Sequence, residues 1–144
     1  MEVRRGTILI VDDEESVRSL IKYGLTNDGY DVLEAVNGKE ALEVLQDNKI
    51  DVVISDIIMP VMDGVELVKR IRIEFPMTRI IMMTGYVNIE NLLICVQNQV
   101  DTVIFKPFKD MSEMMGAVEH SFEHLQHWQS KLKEFESTFG STAS

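Results

Sequence analysis

Residues 50–64 read I-D-V-V-I-S-D-I-I-M-P-V-M-D-G, and this stretch decides the fold class. The β-branched run 52–54 is typical of a strand that is buried on both faces of a parallel sheet. The strand ends at Asp56, and Pro60 and Gly64 then indicate an irregular loop before the next helix. Parallel sheets present ligands at the carboxyl ends of their strands, so Asp56 is the first candidate functional residue.

The same pattern of a strand followed by a helix occurs four more times along the chain. Predicted strands cover residues 7–11, 30–36, 80–83 and 102–105, and apolar residues at helical spacing follow each of them. Five alternating units predict an α/β fold, a doubly wound parallel sheet with helices on both faces. The first helix is expected to start among the acids 12–15 and Ser16, which suit a helix N-terminus.

Composition excludes several classes of function. The chain has 144 residues, enough for one domain with a real core, and 14 basic against 24 acidic residues give a net charge of −10. Such an acidic balance argues against binding of nucleic acid by this chain. The one cysteine, Cys95, is interpreted as a core residue and favours a reducing, cytoplasmic location. No signal peptide and no apolar stretch of roughly 20 residues is visible, so no membrane association is expected.

The residues that follow the strands form a chemically coherent set: Asp12 and Asp13, Asp56, Thr84 and Lys106. Three carboxylates at one sheet edge repel one another unless a cation lies among them, and oxygen ligands favour Mg²⁺. A hydroxyl and an ammonium group beside them suit a dianionic tetrahedral group. The set therefore predicts phosphoryl transfer onto a carboxylate. Each residue alone has a simpler interpretation as a helix-capping acid, a turn residue or a solvated charge, so the prediction depends on all of them together.

Four segments carry a family resemblance: I-L-I-V-D-D-E, S-D-I-I-M-P-V-M-D-G, M-M-T-G and F-K-P-F. In this order, over residues 5–122, they resemble the receiver domain of two-component response regulators. The resemblance implies a flavodoxin-like sheet with strand order 2-1-3-4-5. It also implies that Asp56 accepts a phosphoryl group from a histidine kinase or a phosphotransfer protein, while Thr84 and Lys106 contact that group. The only catalysis implied is the protein's own Mg²⁺-dependent phosphorylation and dephosphorylation.

The resemblance also implies a metal site and a backbone feature. Asp13 and Asp56 would bind Mg²⁺ directly, together with the backbone carbonyl of Ile58, and Asp12 would act through water. The peptide bond between Lys106 and Pro107 is expected to be cis, as in the family.

One position departs from the family pattern. An aromatic residue usually stands three positions before the lysine and turns inward on phosphorylation, but this position is Val103. Phosphorylation of Asp56 does not need the aromatic ring, but transmission of the phosphorylated state to the surface does. Phe105, on the same side of the strand, and Tyr86 are the candidates to replace it.

From Met111 onward the chain shows one long helical pattern. Apolar residues recur at heptad positions, with Ser121 as a polar exception. They are Met111, Met114, Val118, Leu125, Trp128, Leu132, Phe135 and Phe139. The first half is expected to pack on the sheet through Met115, Val118 and Phe122.

The extension 123–139 would then leave Leu125, Trp128, Leu132 and Phe135 exposed, which predicts a parallel coiled coil between two copies. The alternatives are folding back onto the same domain or disorder, and residues 140–144 are expected to be disordered. A second candidate face for a homodimer lies on the fourth helix, fifth strand and fifth helix. The histidines His120, His124 and His127 share a helix side, but no acid or cysteine completes a zinc site.

Two other functions stay open from the sequence. A haloacid-dehalogenase-like phosphatase also uses an aspartate at a strand end with Mg²⁺, but it expects a second aspartate where Ile58 stands. A phosphate-independent dimerisation scaffold with the receiver fold is the other alternative, suggested by Val103 and the long last helix.

Overall fold

The computed structural model describes residues 4–86 and 88–140. Five strands alternate with five helices. The strands are β1 (Thr7–Val11), β2 (Asp31–Ala35), β3 (Val52–Asp56), β4 (Arg79–Thr84) and β5 (Thr102–Phe105). The helices are α1 (Glu15–Asn27), α2 (Gly38–Asp47), α3 (Gly64–Glu74), α4 (Ile89–Gln97) and α5 (Ser112–Phe139).

The five strands form one parallel sheet in the order β2-β1-β3-β4-β5, which confirms the predicted topology. The two central strands β3 and β4 are buried at every residue, as their apolar runs predict. The chain reverses its direction of winding between β1 and β3. The carboxyl ends of these two strands therefore border the crevice in which doubly wound sheets bind ligands.

Alternate residues of each strand feed two separate cores, one on each face of the sheet. On β1, Leu9 and Val11 point to the core under α2, α3 and α4, and Ile8 and Ile10 point to the core under α1 and α5. Cys95 is 3% exposed in the first of these cores, and burial raises the pKa of its thiol. This burial agrees with the interpretation of Cys95 as a core residue.

Helix α1 starts among the acids that the sequence predicted. The helix begins at Glu15 with Glu14 at the N-cap, and neither Ser16 nor the Glu14 side chain caps it. Asp12 reaches forward instead, and its Oδ1 atom accepts a hydrogen bond from the Glu14 N–H at 2.8 Å. Asp12 therefore satisfies a backbone donor beside α1 while its other oxygen stays available for the site.

The last helix, α5, continues without a break for 28 residues. Its first half packs on the sheet through Val118 and Phe122, as predicted, and through Met114 and Ser121, which are fully buried. The expectation that Leu125 is exposed is wrong: it is 5% exposed, because it still lies over the core between α1 and α5. The alternatives of folding back or disorder do not hold for the described part of this extension.

Gly140 follows α5 with helical dihedral angles, and the rest of the predicted disordered tail, residues 141–144, lies outside the described residues. None of the helices in the described ranges is long and apolar enough to span a membrane.

Candidate functional site

Two strands of the sheet bring three carboxylates together. Val11 of β1 pairs with Ser55 of β3, so the residues that follow them, Asp12 and Asp56, lie side by side at the carboxyl edge. Asp12 is fully buried and Asp56 is 7% exposed, whereas Asp13 is exposed. One oxygen from each of the three lies within 4.8 Å of the others, so the structure brings together the acids that the sequence predicted.

Lys106 reaches the same point from β5. Phe105 pairs with Thr84, and the Lys106 N–H donates to the Thr84 carbonyl oxygen at 2.7 Å, which directs the lysine toward β3. Its Nζ atom lies 2.7 Å from Asp12 Oδ2 and 2.8 Å from Asp56 Oδ2. Burial alone would lower the pKa of the Lys106 ammonium group, but the bonds to both carboxylates outweigh it and raise the pKa. The ammonium group is therefore held charged between two acids.

The loop after β3 is shaped around Asp56. The Ile58 N–H donates to Asp56 Oδ1 at 3.2 Å, and the Gly64 N–H donates to the Ile57 carbonyl oxygen at 2.7 Å. A Cβ atom at Gly64 would lie 2.2 Å from the Asp56 carbonyl oxygen, so only glycine fits there. Sequence reasoning assigned Gly64 only to a loop. The Asp-Gly pair at 63 and 64 is the signal for this close approach, because Asp63 also caps α3 by accepting from the Glu66 N–H.

Thr84 ends β4 at the same edge, with 1% of its surface exposed. Its hydroxyl group is directed toward the next turn: it donates to the Tyr86 carbonyl oxygen at 2.6 Å and accepts from the Tyr86 N–H at 3.0 Å. The structure thus places Thr84 beside the acids in the sheet but engages its hydroxyl with the backbone. A group on Asp56 would have to compete for that hydroxyl proton.

The donor set fits the ion that the family implies. Three carboxylates offer only oxygen ligands, and Asp13 is accessible to solvent, which leaves room for the waters that Mg²⁺ retains. The positive charge of Lys106 already offsets the repulsion between Asp12 and Asp56, and an ion beside Asp13 would offset the rest. The role of the Ile58 carbonyl oxygen stays a prediction.

The structure also describes the Lys106–Pro107 peptide bond and Val103, the position that departs from the family pattern. The Lys106–Pro107 peptide bond is cis, as expected. Val103 is partly buried and packs against the core under α2, α3 and α4. The two candidate rings lie outside that core, with Phe105 52% and Tyr86 60% exposed.

Comparisons with known proteins agree with this geometry. Residues 8–119 match the family described as the response regulator receiver domain. The DNA-binding transcriptional regulator NtrC of Escherichia coli is 35% identical over 127 residues, which cover 88% of this chain but 27% of that protein. Sporulation initiation phosphotransferase F of Bacillus subtilis is 34% identical over 111 residues, 77% of this chain and 89% of that protein.

Among solved structures, the chemotaxis response regulator CheY4 of Vibrio cholerae has a TM-score of 0.74 at 32% identity and covers 81% of this chain and 98% of its own. The response regulator TrrA of Thermotoga maritima, solved with Mg²⁺ and BeF, has a TM-score of 0.73 at 34% identity, with the same coverage of 81% and 98%. The chain therefore spans about a quarter of the length of the NtrC relatives but nearly all of the CheY4 and TrrA chains. The sheet order, the strand-edge residues and these matches lead to one conclusion: this chain belongs to the receiver domain family of two-component response regulators.

Proposed function

We propose that this protein is the Mg²⁺-dependent phosphoacceptor of a two-component phosphorelay, with Asp56 as the acceptor. The observation that carries the proposal is the contact between Lys106 Nζ and Asp56 Oδ2 at 2.8 Å, beside the oxygens of Asp12 and Asp13. A cation fixed on one acceptor oxygen and a carboxylate cluster in which Asp13 is exposed to solvent are what a phosphorylated aspartate needs around it.

The reaction is an in-line displacement at phosphorus. One Asp56 carboxylate oxygen forms a bond to phosphorus while the bond between phosphorus and the donor's histidine nitrogen breaks. The electron pair of the broken bond stays on the imidazole nitrogen, and a proton on the other ring nitrogen of the phosphohistidine makes the leaving imidazole neutral. Hydrolysis of the acyl phosphate by water restores the carboxylate and releases phosphate, so the protein catalyses only its own modification.

Each residue around Asp56 has a separate role in this proposal. Lys106 holds a positive charge beside the attacking carboxylate and pairs with a phosphoryl oxygen once that group has arrived. Asp12 orients the Lys106 ammonium group through the contact of 2.7 Å. Asp13 and Asp56 would hold Mg²⁺, with the Ile58 carbonyl oxygen as a further ligand. The ion would neutralise charge on the transferring group.

The energies involved are large enough for a switch if the contacts with the phosphoryl group form only in the active conformation. Charge-assisted hydrogen bonds contribute about 1.5–3 kcal/mol each, and Thr84 and Lys106 supply two. A shift of a population from 1:99 to 99:1 takes about 5.5 kcal/mol of differential stabilisation. The Thr84 hydroxyl contributes to this difference because its present partner is the Tyr86 backbone, so its contact with a phosphoryl oxygen forms only after a rearrangement.

The partner in this proposal is a histidine kinase or a phosphotransfer protein in the cytoplasm. The likeness to a sporulation phosphotransferase and to transcriptional regulators supports a relay function without naming a signal. Self-association through α5, or through the face of α4, β5 and α5, would transmit the modified state.

The test is incubation with acetyl phosphate and Mg²⁺ followed by intact-mass measurement. Wild type should gain one phosphoryl group, about 80 Da, and Asp56→Asn should gain none. Asp47→Asn is the matched control, because Asp47 is exposed at the end of α2, outside the carboxylate cluster, and this variant should label like wild type. A wild-type protein that takes no label with Mg²⁺ present would overturn the proposal and favour the phosphate-independent scaffold. Sustained turnover of a phosphate ester would instead favour the phosphatase.

A further inference from the structure

Two histidines of α5 lie over one cleft at the amino-terminal edge of the sheet. His120 and His124 are one helical turn apart, which places their Cβ atoms about 5–6 Å from each other on the same side of the helix. Both line a cleft of about 520 Å³ together with Asp101 and Trp128. This cleft and the acceptor site lie at opposite edges of the sheet, because Asp101 precedes β5 whereas Asp56 ends β3.

The spacing of these histidines is that of a metal-binding helix. Residues 120–124 read H-S-F-E-H, and two histidines four positions apart on one helix face are the ligand pair of helical zinc sites. Imidazole nitrogens bind Zn²⁺, Cu²⁺ and Ni²⁺, whereas Mg²⁺ prefers oxygen ligands. The pair alone is a weak signal, so the surroundings of the two rings decide whether it is a site.

Asp101 supplies the carboxylate that the sequence alone did not place beside these histidines. Its Oδ1 atom lies 3.6 Å from the His124 Nδ1 atom, and its side chain is 4% exposed. This distance is longer than a hydrogen bond, and a small rotation of the imidazole ring would close it. An ion pair with Arg79 and a hydrogen bond of 2.7 Å from the Ser121 hydroxyl fix the carboxylate. A histidine that binds a metal through one ring nitrogen donates from the other to such a carboxylate.

The other ring nitrogen of His124 presents a lone pair at the surface. Its Nε2 atom accepts a hydrogen bond from the Trp128 indole N–H at 3.2 Å. An indole N–H can only donate, so Nε2 carries no proton and the neutral ring holds its proton on Nδ1, toward Asp101. His124 therefore has the tautomer that a metal ligand needs. Trp128 is 49% exposed, so water can take over its hydrogen bond when a metal displaces it.

The charges around the pair do not exclude a cation. The cleft holds two arginines, Arg72 and Arg79, and Asp101 neutralises the second of them through their ion pair. Two exposed carboxylates, Glu119 and Glu123, directly precede the two histidines on α5. Carboxylates therefore outnumber arginines around the pair, in a chain whose net charge is −10.

We propose that His120 and His124 bind one divalent transition-metal ion of the class of Zn²⁺, Cu²⁺ and Ni²⁺, with Asp101 as the hydrogen-bond partner of His124. Among the described residues, three acidic or histidine ligand atoms gather within 4.8 Å at the acceptor site alone, so this second site has two protein ligands and water completes it. The exposed His120 ring rotates toward the next turn to complete the pair. The ion would tie the middle of α5 to the start of β5, where the helix leaves the sheet.

The first experiment titrates the full chain with Cu²⁺ in excess Mg²⁺ and follows the fluorescence of Trp128, the one tryptophan of the chain. A Cu²⁺ ion on the adjacent His124 quenches this fluorescence, and Mg²⁺ occupies the oxygen ligands of the acceptor site. Wild type should show saturable quenching by one ion per chain that a chelator reverses. His120→Gln and His124→Gln should each raise the dissociation constant at least about tenfold.

The matched control is His127→Gln. The His127 ring packs edge-on against Trp128 at 5.5 Å but does not line the cleft, so its loss should change the fluorescence intensity and leave the dissociation constant unchanged. Wild-type quenching that does not saturate, or a His120→Gln protein that binds Cu²⁺ like wild type, would overturn the proposal. Loss of binding in His127→Gln would overturn the choice of the pair.

The second experiment tests the part of Asp101 and the independence of the two sites. Asp101→Asn should raise the dissociation constant for Cu²⁺ about 10- to 100-fold, with circular dichroism to verify that the variant is folded. Asp47→Asn, at the exposed end of α2, should bind like wild type. Asp56→Asn should also bind Cu²⁺ like wild type, which separates this proposal from the one on phosphorylation. Wild-type affinity in a folded Asp101→Asn protein would overturn the role of this carboxylate.

A third measurement needs no substitution. In nuclear magnetic resonance spectra, substoichiometric Cu²⁺ should broaden the imidazole signals of His120 and His124 before those of His127, because broadening by a paramagnetic ion is strongest for its ligands. Broadening of the His127 signals first would contradict the proposed pair.

Discussion

The Thr84 hydroxyl group is bound twice by the backbone of one residue, Tyr86. It donates to the Tyr86 carbonyl oxygen at 2.6 Å and accepts from the Tyr86 N–H at 3.0 Å. A hydroxyl has one proton to donate, so Thr84 cannot serve a phosphoryl oxygen and this carbonyl at the same time. Any group on Asp56 that recruits Thr84 must therefore release Tyr86.

This competition predicts a readout by nuclear magnetic resonance. Addition of beryllofluoride and Mg²⁺, which mimic the phosphorylated state, should shift the backbone amide signals of Gly85 and Tyr86. Thr84→Val removes the hydroxyl at nearly constant shape and should abolish most of that shift, whereas Thr84→Ser should retain it. Wild-type signals that stay in place while Asp56 is occupied would contradict this link between the site and the exposed Tyr86 ring.

The contacts of Lys106 predict that the stability of the protein depends on both Mg²⁺ and alkaline pH. Lys106→Met leaves Asp12 and Asp56 without a counter-charge, and without Mg²⁺ it should lower the free energy of unfolding by about 2–3 kcal/mol. Added Mg²⁺ should restore part of this loss. Urea unfolding followed by circular dichroism measures both effects, with the exposed Lys133→Met as the control.

The sign of the pH effect follows from the raised pKa of Lys106. Its contribution is fully present below the pKa of an unfolded lysine, about 10.4, and is lost as the pH rises through the higher pKa of the folded protein. The difference in stability between wild type and Lys106→Met should therefore shrink at alkaline pH. A difference that grows there would contradict this assignment.

Asp101 predicts an effect at acid pH, far from the phosphorylation site. It precedes β5, pairs with the Arg79 guanidinium group and accepts from the Ser121 hydroxyl at 2.7 Å. Burial would raise the pKa of its carboxyl group, but the hydrogen bonds with Arg79 and Ser121 outweigh burial and lower it. Asp101→Asn should lower the free energy of unfolding at pH 7 by about 2–3 kcal/mol.

This contribution is present above the pKa of an unfolded aspartate, about 3.9, and is lost as the pH falls through the lower folded value. Wild type and Asp101→Asn should therefore converge in stability below about pH 4. The exposed Asp47→Asn is the control, and it should change stability by no more than about 0.5 kcal/mol. Urea titrations at several pH values measure the convergence, and a gap that persists in acid would rule out the ionised pair as its cause.

Two glycines predict opposite results for the same substitution. Gly64→Ala places a Cβ atom 2.2 Å from the Asp56 carbonyl oxygen and 2.8 Å from the Ile57 Cα atom. It should lower the melting temperature and slow labelling by acetyl phosphate, because the acceptor loop must move. Gly116→Ala meets no atom within 4 Å on α5 and should raise stability by about 0.5–1 kcal/mol. Thermal unfolding measures the melting temperatures of both variants. Equal changes in the two melting temperatures would contradict the crowding of the loop at Gly64.

The sequence predicted the sheet and the residues at its edge because each depends on local patterns, whereas the strand order was predicted from the family resemblance. Strand runs such as 52–54 are apolar and short, and the acids stand where these runs end. The parallel topology then brings Asp12, Asp56 and Lys106 to one edge without any further information. Their meeting in the structure is a consequence of topology more than of side-chain detail.

What the sequence did not show depends on contacts across the fold. The burial of Leu125 follows from how far the core extends under α5, which no helix pattern states. The ion pair between Arg79 and Asp101 joins residues 22 positions apart in the sequence. The Thr84 hydroxyl group donates to the Tyr86 backbone rather than to the acids.

The unbroken course of α5 gives the molecule a mechanical property. No hinge separates the half that lies on the sheet from the half that projects, so the projecting half works as a rigid lever of about 20 Å. A tilt of roughly 10° at the sheet would carry the far end through about 3–4 Å by this length. Small changes in side-chain packing under α5 would therefore produce a larger displacement at the far end of the helix. That end is the part of α5 that a second molecule would contact.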